Sequence, residues 1–304
     1  MSEPIIKTVF IGLDNSGKTS ILYTLEGKFA QIANIKPTIR FTRTDFNILG
    51  LPIKIWDMGG QEQYRIEYLS KEKFFIGTDL LFYVIDVQDT NRFTESVEYF
   101  LNILEVFEKI NPDQYPHIEI LLHKSDPYIK DLPDLKKKVQ TLKGLFSELV
   151  KFVDLTFHET SVYDFESLSR AFVKGTLKVL PKGEIIQEVL KEFMQKTESS
   201  AIMLLDDNVL VIAESYIDSQ SKNVCHICGP YFVNMLEKLS KYELFVPDTI
   251  EVEMQGWLFF KHINYLKTHF YLVFFTKVHE NFHKINDLLP AFTKDLFNLI
   301  KYIL

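Results

Sequence analysis

Within Gly12-Leu13-Asp14-Asn15-Ser16-Gly17-Lys18-Thr19, two glycines, an amine and a hydroxyl are set between an apolar strand pattern (Ile5 to Ile11) and an apolar-periodic helix pattern (Ser20 to Leu25). Gly12 and Gly17 let the backbone bend tightly enough for successive N–H groups, from Asp14 to Gly17, to point at one anion. The following helix adds its positive N-terminal end. Lys18 supplies a charge for β- and γ-phosphates, Thr19 a hydroxyl for the magnesium ion that such polyphosphates carry, and Ser20 can reach the α-phosphate side of the loop. This spacing, in a strand-loop-helix context, is that of a nucleotide phosphate cradle. A glycine-rich turn with no ligand is the competing reading.

Further along, Ile53 to Trp56 reads as a strand and ends in Asp57-Met58-Gly59-Gly60-Gln61. Asp57, at a strand end facing the cradle, would hold magnesium through its shell. Gly60 would offer a backbone N–H to the γ-phosphate, and Gln61 would orient the attacking water. Thr38, after Pro37 in a polar stretch, is the candidate for a threonine that reaches magnesium only when a γ-phosphate is present, with Thr42 and Thr44 nearby as strand-forming neighbours.

The strand pattern Ile118 to Leu122 runs into His123-Lys124-Ser125-Asp126. A carboxylate at Asp126 can accept from guanine N1–H and N2–H₂ together, a donor pair that adenine lacks, and Lys124 would lay its stem along the base plane. The common form of this element begins with Asn. His123 replaces that amide with an imidazole, which either contacts the base or is a satisfied loop histidine. After a strand pattern over Phe152 to Phe157, Glu159-Thr160-Ser161-Val162 brings the backbone around Ser161 and Val162 where it can meet guanine O6.

Taken in order, these elements resemble the small GTPase superfamily over roughly residues 5 to 180. The phosphate loop, Pro37-Thr38-Ile39 and Trp56-Asp57-Met58-Gly59-Gly60-Gln61 look Arf-like. His123-Lys124-Ser125-Asp126 and Thr160-Ser161-Val162-Tyr163-Asp164 look like the Rag/Gtr branch, and the segment C-terminal to the G domain decides between them. The resemblance implies an α/β P-loop GTPase domain, with a mixed, mostly parallel sheet flanked by helices, over residues 1–181. Its ligands would be GTP or GDP with Mg²⁺.

About 120 residues remain beyond the breaker Pro181-Lys182-Gly183. They read as a helix from Ile185 to Met194, strands at Ala201 to Leu205 and Val209 to Ser215, a helix from Tyr231 to Tyr242, strands at Thr249 to Gln255, Trp257 to Ile263 and Phe270 to Thr276, and a closing helix through Leu288, Leu296 and Ile303. This order is similar to the α+β roadblock/longin-like domain that follows the G domain in Rag/Gtr proteins. The resemblance therefore implies a homo- or heterodimer through residues 183–304, in a Rag-like protein with an Arf-like phosphate loop. A private globular domain is the alternative.

Hydrophobic residues at 46% and charged residues at 25% describe an ordinary globular chain, and a net charge of −7 argues against nonspecific nucleic-acid binding. Lys136-Lys137-Lys138 reads as a solvated helix face. Apolar runs such as Leu80 to Val87 reach only strand length, and neither an N-myristoylation glycine nor a C-terminal prenylation cysteine is present, so a cytoplasmic protein without a direct membrane anchor is expected. Any membrane recruitment would come from a partner. Cys225-His226-Ile227-Cys228 is one C-x-x-C with no second pair, and reads as a helix-entry turn before a metal or redox site.

The expected function is a guanine-nucleotide switch that hydrolyses GTP slowly, with Gln61 and Lys18 as catalytic groups and with activating and exchange proteins as partners. Arg40 lies near Thr38 but reads as solvated or structural, so a partner would supply the missing arginine. A dimeric scaffold that keeps GTP or GDP as a structural ligand is the second hypothesis, and Gln61 argues against it. A P-loop ATPase is the third, and Asp126 argues against it.

Overall fold

The computed structural model describes residues 5–151, 153–180, 183–244, 247–265 and 268–303. The backbone divides into two compact units, Met1–Asn47 with Leu51–Val179, and Ile48–Gly50 with Leu180–Leu304. Pro181 and Lys182, the expected breaker, lie outside the described residues.

In the first unit, β1 (Ile6–Ile11), β2 (Phe41–Ile48), β3 (Leu51–Met58), β4 (Leu80–Asp86), β5 (His117–His123) and β6 (Thr156–Thr160) form one sheet in the order β2-β3-β1-β4-β5-β6. β1 runs parallel to β3 and β4, and β5 and β6 continue in parallel. The turn Leu49–Gly50 joins β2 to β3 with φ of 56° and 84°, the geometry of a tight hairpin, so β2 opposes the others. The helices are α1 (Lys18–Leu25), α2 (Phe29–Ile32), α3 (Glu62–Leu69), α4 (Phe93–Ile110), α5 (Pro133–Leu149) and α6 (Phe165–Val179).

β4 and β5 are almost unbroken apolar runs because helices cover both of their faces. Successive residues of β4 serve opposite layers. Phe82 stacks on Phe10 at 4.6 Å and faces Phe172 of α6 at 5.9 Å, whereas Tyr83 meets Phe100 of α4 at 4.9 Å and Phe100 meets Phe146 of α5 at 5.2 Å. In a parallel sheet the strands end on a common edge. Gly12 after β1, Asp57 near the end of β3, and His123 at the end of β5 are therefore brought to one side, though distant in sequence.

The second unit opens with α7 (Ile185–Lys196). It continues through β7 (Ala201–Asp206), β8 (Val211–Tyr216), α8 (Ser219–Lys241), β9 (Thr249–Glu253), β10 (Trp257–Tyr265), β11 (Thr268–Thr276) and α9 (Asn281–Ile303). Its antiparallel sheet has the order β8-β7-β11-β10-β9, the expected α-β-β-α-β-β-β-α succession in an α+β fold. Met203, Leu205, Leu258, Phe260 and Val273 face α8 through Cys225, Val233 and Leu236. On the other side Phe274 meets Phe193 of α7 at 5.8 Å, Phe193 stacks on Phe292 of α9 at 4.0 Å, and Phe259 stacks on Phe282 at 4.2 Å. The aromatic concentration near the chain's end thus fills a core two layers deep.

Three sequence expectations shift. β6 is Thr156–Thr160 and not Phe152 to Phe157, because pairing with β5 runs from Glu119↔Thr156 to His123↔Thr160; Phe152 lies outside the described residues. β8 begins at Val211 and not Val209, since the Asp206 carboxylate accepts from the N–H groups of Asn208 (3.0 Å) and Leu210 (2.9 Å) and lengthens the turn. α8 begins at Ser219 and not Tyr231. Asp218 caps it by accepting from Ser221 N–H at 2.7 Å, and the helix passes through Pro230, so Cys225 and Cys228 sit in a helix interior and not in an entry turn. Burial pushes the Cys225 thiol well up, away from thiolate chemistry.

Phe82→Ala removes a fully buried ring from the stacked Phe10–Phe82–Phe172 group. It is expected to lower the stability of the first unit by ~3–5 kcal/mol, read as an earlier midpoint in a urea titration.

Candidate functional site

A cavity of ≈ 260 Å³ opens where β1 and β3 end, lined by Asp14, Asn15, Gly17, Lys18, Thr19 and Ser20 from the loop and α1, and by Pro37, Thr38, Gly60 and Gln61 opposite. Residues that the sequence placed in three separate motifs thus share one wall-to-wall space. Lys18 is 6% exposed, and its Nζ donates to Gly12 O (3.1 Å), Leu13 O (2.7 Å) and Ser16 Oγ (3.2 Å). Burial lowers its pKa to about 8, against the opposing pull of Asp57 and Asp14. Such an amine is desolvated, charged at neutral pH and matched to a polyphosphate.

Behind it, three oxygens converge. Thr19 Oγ1 donates to Asp57 Oδ2 at 2.6 Å, Thr38 Oγ1 lies 2.9 Å from Thr19 Oγ1, and Thr38 also donates to Asp57 Oδ2 at 3.2 Å. Asp57 Oδ1 is buried and unpartnered, and burial raises the carboxyl's pKa. A hard divalent cation would satisfy both anomalies, since it takes oxygen ligands and favours the ionised carboxylate. Thr42 and Thr44, the neighbours considered beside Thr38, belong to β2.

Two glycines are required by contact. A Cβ on Gly60 would lie 2.2 Å from Asp14 N, and the Gly60 carbonyl accepts from that N–H at 3.1 Å. Gly17 has φ +97°, and a Cβ there would lie 2.5 Å from His123 Cδ2. His123 is thus packed beneath the loop, 2% exposed, with Nδ1 3.0 Å from Thr160 Oγ1. Its place fits the satisfied-histidine reading, and burial lowers its pKa to about 4, so the ring is neutral. Gln61 opens α3, and its Oε1 is buried without a partner beside the cavity.

A second cluster gathers the remaining predicted residues. Asp126 Oδ1 accepts from Ser161 Oγ at 2.5 Å, which fixes the carboxylate, and Ser125 N–H donates to Thr160 O at 3.0 Å. Lys124 has φ 64° and donates to Asp86 Oδ2 at 2.6 Å. Val162 follows Ser161 in the turn bridged to Asp164.

Several neighbours carry no local sequence signal. Gln88 Nε2 donates to Lys124 O at 2.8 Å and to Asp126 Oδ2 at 3.3 Å, and Tyr128 donates to the same Oδ2 at 3.1 Å. Arg92 pairs with Asp14 at 2.7 Å and with Glu95 at 2.9 Å, and Glu95 pairs with Arg65 of α3 at 2.5 Å. Against the upward push of burial, the hydrogen bond and charge of Arg92, helped by Lys18, hold the Asp14 carboxyl below its usual range. Arg40 instead lies on Glu67 at 3.3 Å, outside the phosphate cavity, as a structural arginine would.

A mostly parallel α/β sheet with a phosphate loop after β1, an Asp-x-x-Gly-Gln segment after β3 and a carboxylate-bearing turn after β5 defines a small GTPase. Residues 7–243 match the Gtr1/RagA G protein conserved region, and the chain belongs to that family of GTP-binding GTPases. The match continues through α7, β7, β8 and α8, which settles the branch as the Rag-like one. GTP-binding protein gtr1 of Schizosaccharomyces pombe is 27% identical over 215 residues, 69% of this chain and 68% of that protein. Human Ras-related GTP-binding protein C is 27% identical over 234 residues, 73% of this chain and 55% of that one. Among solved structures, the Arl6 BBS3 small GTPase of Trypanosoma brucei with bound GppNp aligns at 18% identity and TM-score 0.46, over 58% of this chain and 98% of that chain.

Two outcomes are expected from this geometry. Gly17→Ala adds strain at φ +97° and the His123 clash, so nucleotide affinity should fall at least ~10-fold in a fluorescent-GDP titration, with partial recovery in Gly17→Ala/His123→Ala. Burial brings the Lys18 pKa down to about 8, and bound phosphates favour its protonated form. Affinity should therefore hold below that pH and fall above it by up to ~10-fold per pH unit, with proton uptake detected by calorimetry in buffers of different ionisation enthalpy.

Proposed function

We propose that the chain is a Mg²⁺-dependent guanine-nucleotide switch in which Lys18 and Gly60 contact the γ-phosphate, Thr38 reaches the metal beside it and Gln61 orients the attacking water. The observation that carries this reading is the convergence of Thr19, Thr38 and the half-unsatisfied Asp57 carboxylate within 2.6–3.2 Å, beside a cavity that also holds the Lys18 amine. Thr19, Thr38 and Asp57 are the residues that would hold magnesium, which when bound would neutralise charge on the phosphate oxygens. Lys18 exchanges its carbonyl partners for phosphate oxygens, and the loop N–H groups from Asn15 to Thr19, with Ser20, complete the cradle, while the Asp14 N–H stays on the Gly60 carbonyl.

Gln61 acts by position. Its unpartnered Oε1 accepts from the attacking water, and its location at the start of α3 holds the amide beside the loop. Asp126 accepts from the guanine edge, with Ser161 fixing one oxygen, Lys124 against the base and the Val162 backbone near O6. Thr38 would reach the metal only while a γ-phosphate is present, and loss of that phosphate would release the segments around Thr38 and Gly60, a difference that an effector would read. No arginine other than that of a partner is assigned to the transition state.

The second unit is proposed to pair two chains. Ile227, Tyr231 and Met235 fall at intervals of four residues on α8 and are 62%, 73% and 39% exposed, and β9 is a sheet edge. An apolar helical stripe and a strand with one open edge suit self-association or pairing with a related chain. No helix among the described residues is long and apolar enough to cross a membrane. In this reading the chain works in the cytoplasm, and recruitment to a membrane falls to a partner.

Single-turnover hydrolysis of bound GTP should slow at least ~10-fold in Gln61→Leu while GTP binding persists. Turnover that is absent in both proteins overturns catalysis in favour of a scaffold that keeps its nucleotide. Light scattering should give a two-chain mass that Tyr231→Asp reduces, and a monomer in both overturns self-pairing.

A further inference from the structure

In the second cluster the Asp126 carboxylate is nearly saturated from within the chain. An ionised carboxylate has about four lone-pair sites, two on each oxygen. The fully buried Ser161 takes one on Oδ1, donating from Oγ at 2.5 Å. Tyr128 Oη and Gln88 Nε2 take both on Oδ2, at 3.1 and 3.3 Å. One site is left, on Oδ1. Guanine offers two parallel donors, N1–H and one hydrogen of the N2 amino group, and a bidentate contact sets one of them on each carboxylate oxygen. One of the donors on Oδ2 has to withdraw before the guanine edge can pair in full.

The two donors are not held equally. The Gln88 nitrogen also donates to the Lys124 carbonyl at 2.8 Å, so withdrawing that amide breaks two bonds. Tyr128 lies two residues beyond Asp126, is 72% exposed, and its hydroxyl has no other hydrogen-bond partner among the described residues. Withdrawing it breaks one bond, and water takes up the freed hydroxyl. The hydrogen bond to Asp126 and the carboxylate's charge push the Tyr128 phenol up, so the hydroxyl keeps its proton and remains a donor at neutral pH.

We infer that Tyr128 is an internal competitor for the guanine edge: its hydroxyl fills the acceptor that the N2 amino group needs, and so narrows the preference of the site for guanine over hypoxanthine nucleotides. The inference rests on the base-binding role of Asp126 proposed above and adds to that site the residue that sets its selectivity. Hypoxanthine carries the same N1–H and O6 but no amino group at C2. It needs a single acceptor, which Oδ1 already offers, so the Tyr128 bond costs it nothing. Guanine gains its second bond only by breaking an existing one. Tyr128→Phe keeps the ring and removes the donor, which opens a site on Oδ2 for the amino group.

The test is competition on the full chain with Mg²⁺, in which GDP, inosine diphosphate or ADP displaces a GDP labelled on its ribose, read by fluorescence polarisation. GDP should bind Tyr128→Phe ~5-fold more tightly than the unaltered chain while inosine diphosphate stays within ~2-fold, so the ratio between them widens. The retained inosine diphosphate affinity also shows that the variant is folded. GDP affinity that is unchanged or weaker overturns the inference, and a weaker one makes the hydroxyl a support for Asp126. A shift shared by both nucleotides overturns it too, as an effect of the ring's packing. Failure of the base-binding reading looks different: ADP competing as well as GDP against the unaltered chain, or labelled GDP that does not bind, removes Asp126 from guanine recognition and takes the inference with it.

Discussion

A positive charge held out of water is the constraint on which the rest of the first unit depends. Lys18 is buried with carbonyl and hydroxyl oxygens as its direct partners, and its compensating carboxylates, Asp57 and Asp14, stand further off. A charge so placed is costly unless its surroundings supply fixed dipoles and anions. The sheet meets that need by ending β1 and β3 on one edge, which puts the loop carbonyls on the amine and Asp57 behind it. Anything that loosens the edge would return the amine to water and remove its affinity for phosphate.

The same constraint explains which parts of the site were legible in the sequence. The phosphate loop, the Asp57-to-Gln61 segment and the Lys124–Asp126 pair are short runs at strand ends, where local spacing fixes geometry, and the structure gathers them as separate walls of two adjoining clusters. Gln88 and Arg92 left no trace because their contacts join residues 38 and 78 positions away, to Asp126 and Asp14. Such pairings are set by the crossover of whole βα units, and no spacing rule encodes them. His123 is intermediate: its departure from Asn was visible, but only the fold places its ring against Gly17.

In the second unit the succession of elements was readable from hydrophobic period, while their limits were not. Pro230 and the Gly229 before it look like a break, yet α8 runs through both. A Cβ at Gly229 would meet Met203, Leu205 and Val273 within 2.7–3.2 Å, so the helix needs its smallest residue where it lies closest to the sheet. Tertiary packing overrode local propensity there. The turn after β7 outruns its sequence pattern for a different reason: Asp206 is fully buried, and its bonds to the chain beyond it stretch the turn past where alternation of Val209 and Val211 would begin a strand.

The chain of alternating charges from Asp14 through Arg92 and Glu95 to Arg65 joins the phosphate loop to α3, with links of 2.7, 2.9 and 2.5 Å. Its members are each held by a neighbour of opposite sign, so deleting one strands the next. Epistasis is the result: losing Arg92 and Glu95 together costs less than the sum of the two single losses, since each single loss already breaks the link between them. Either inner residue is enough to break the connection when lost, so a neutral residue at position 92 or 95 would leave loop and helix mechanically independent.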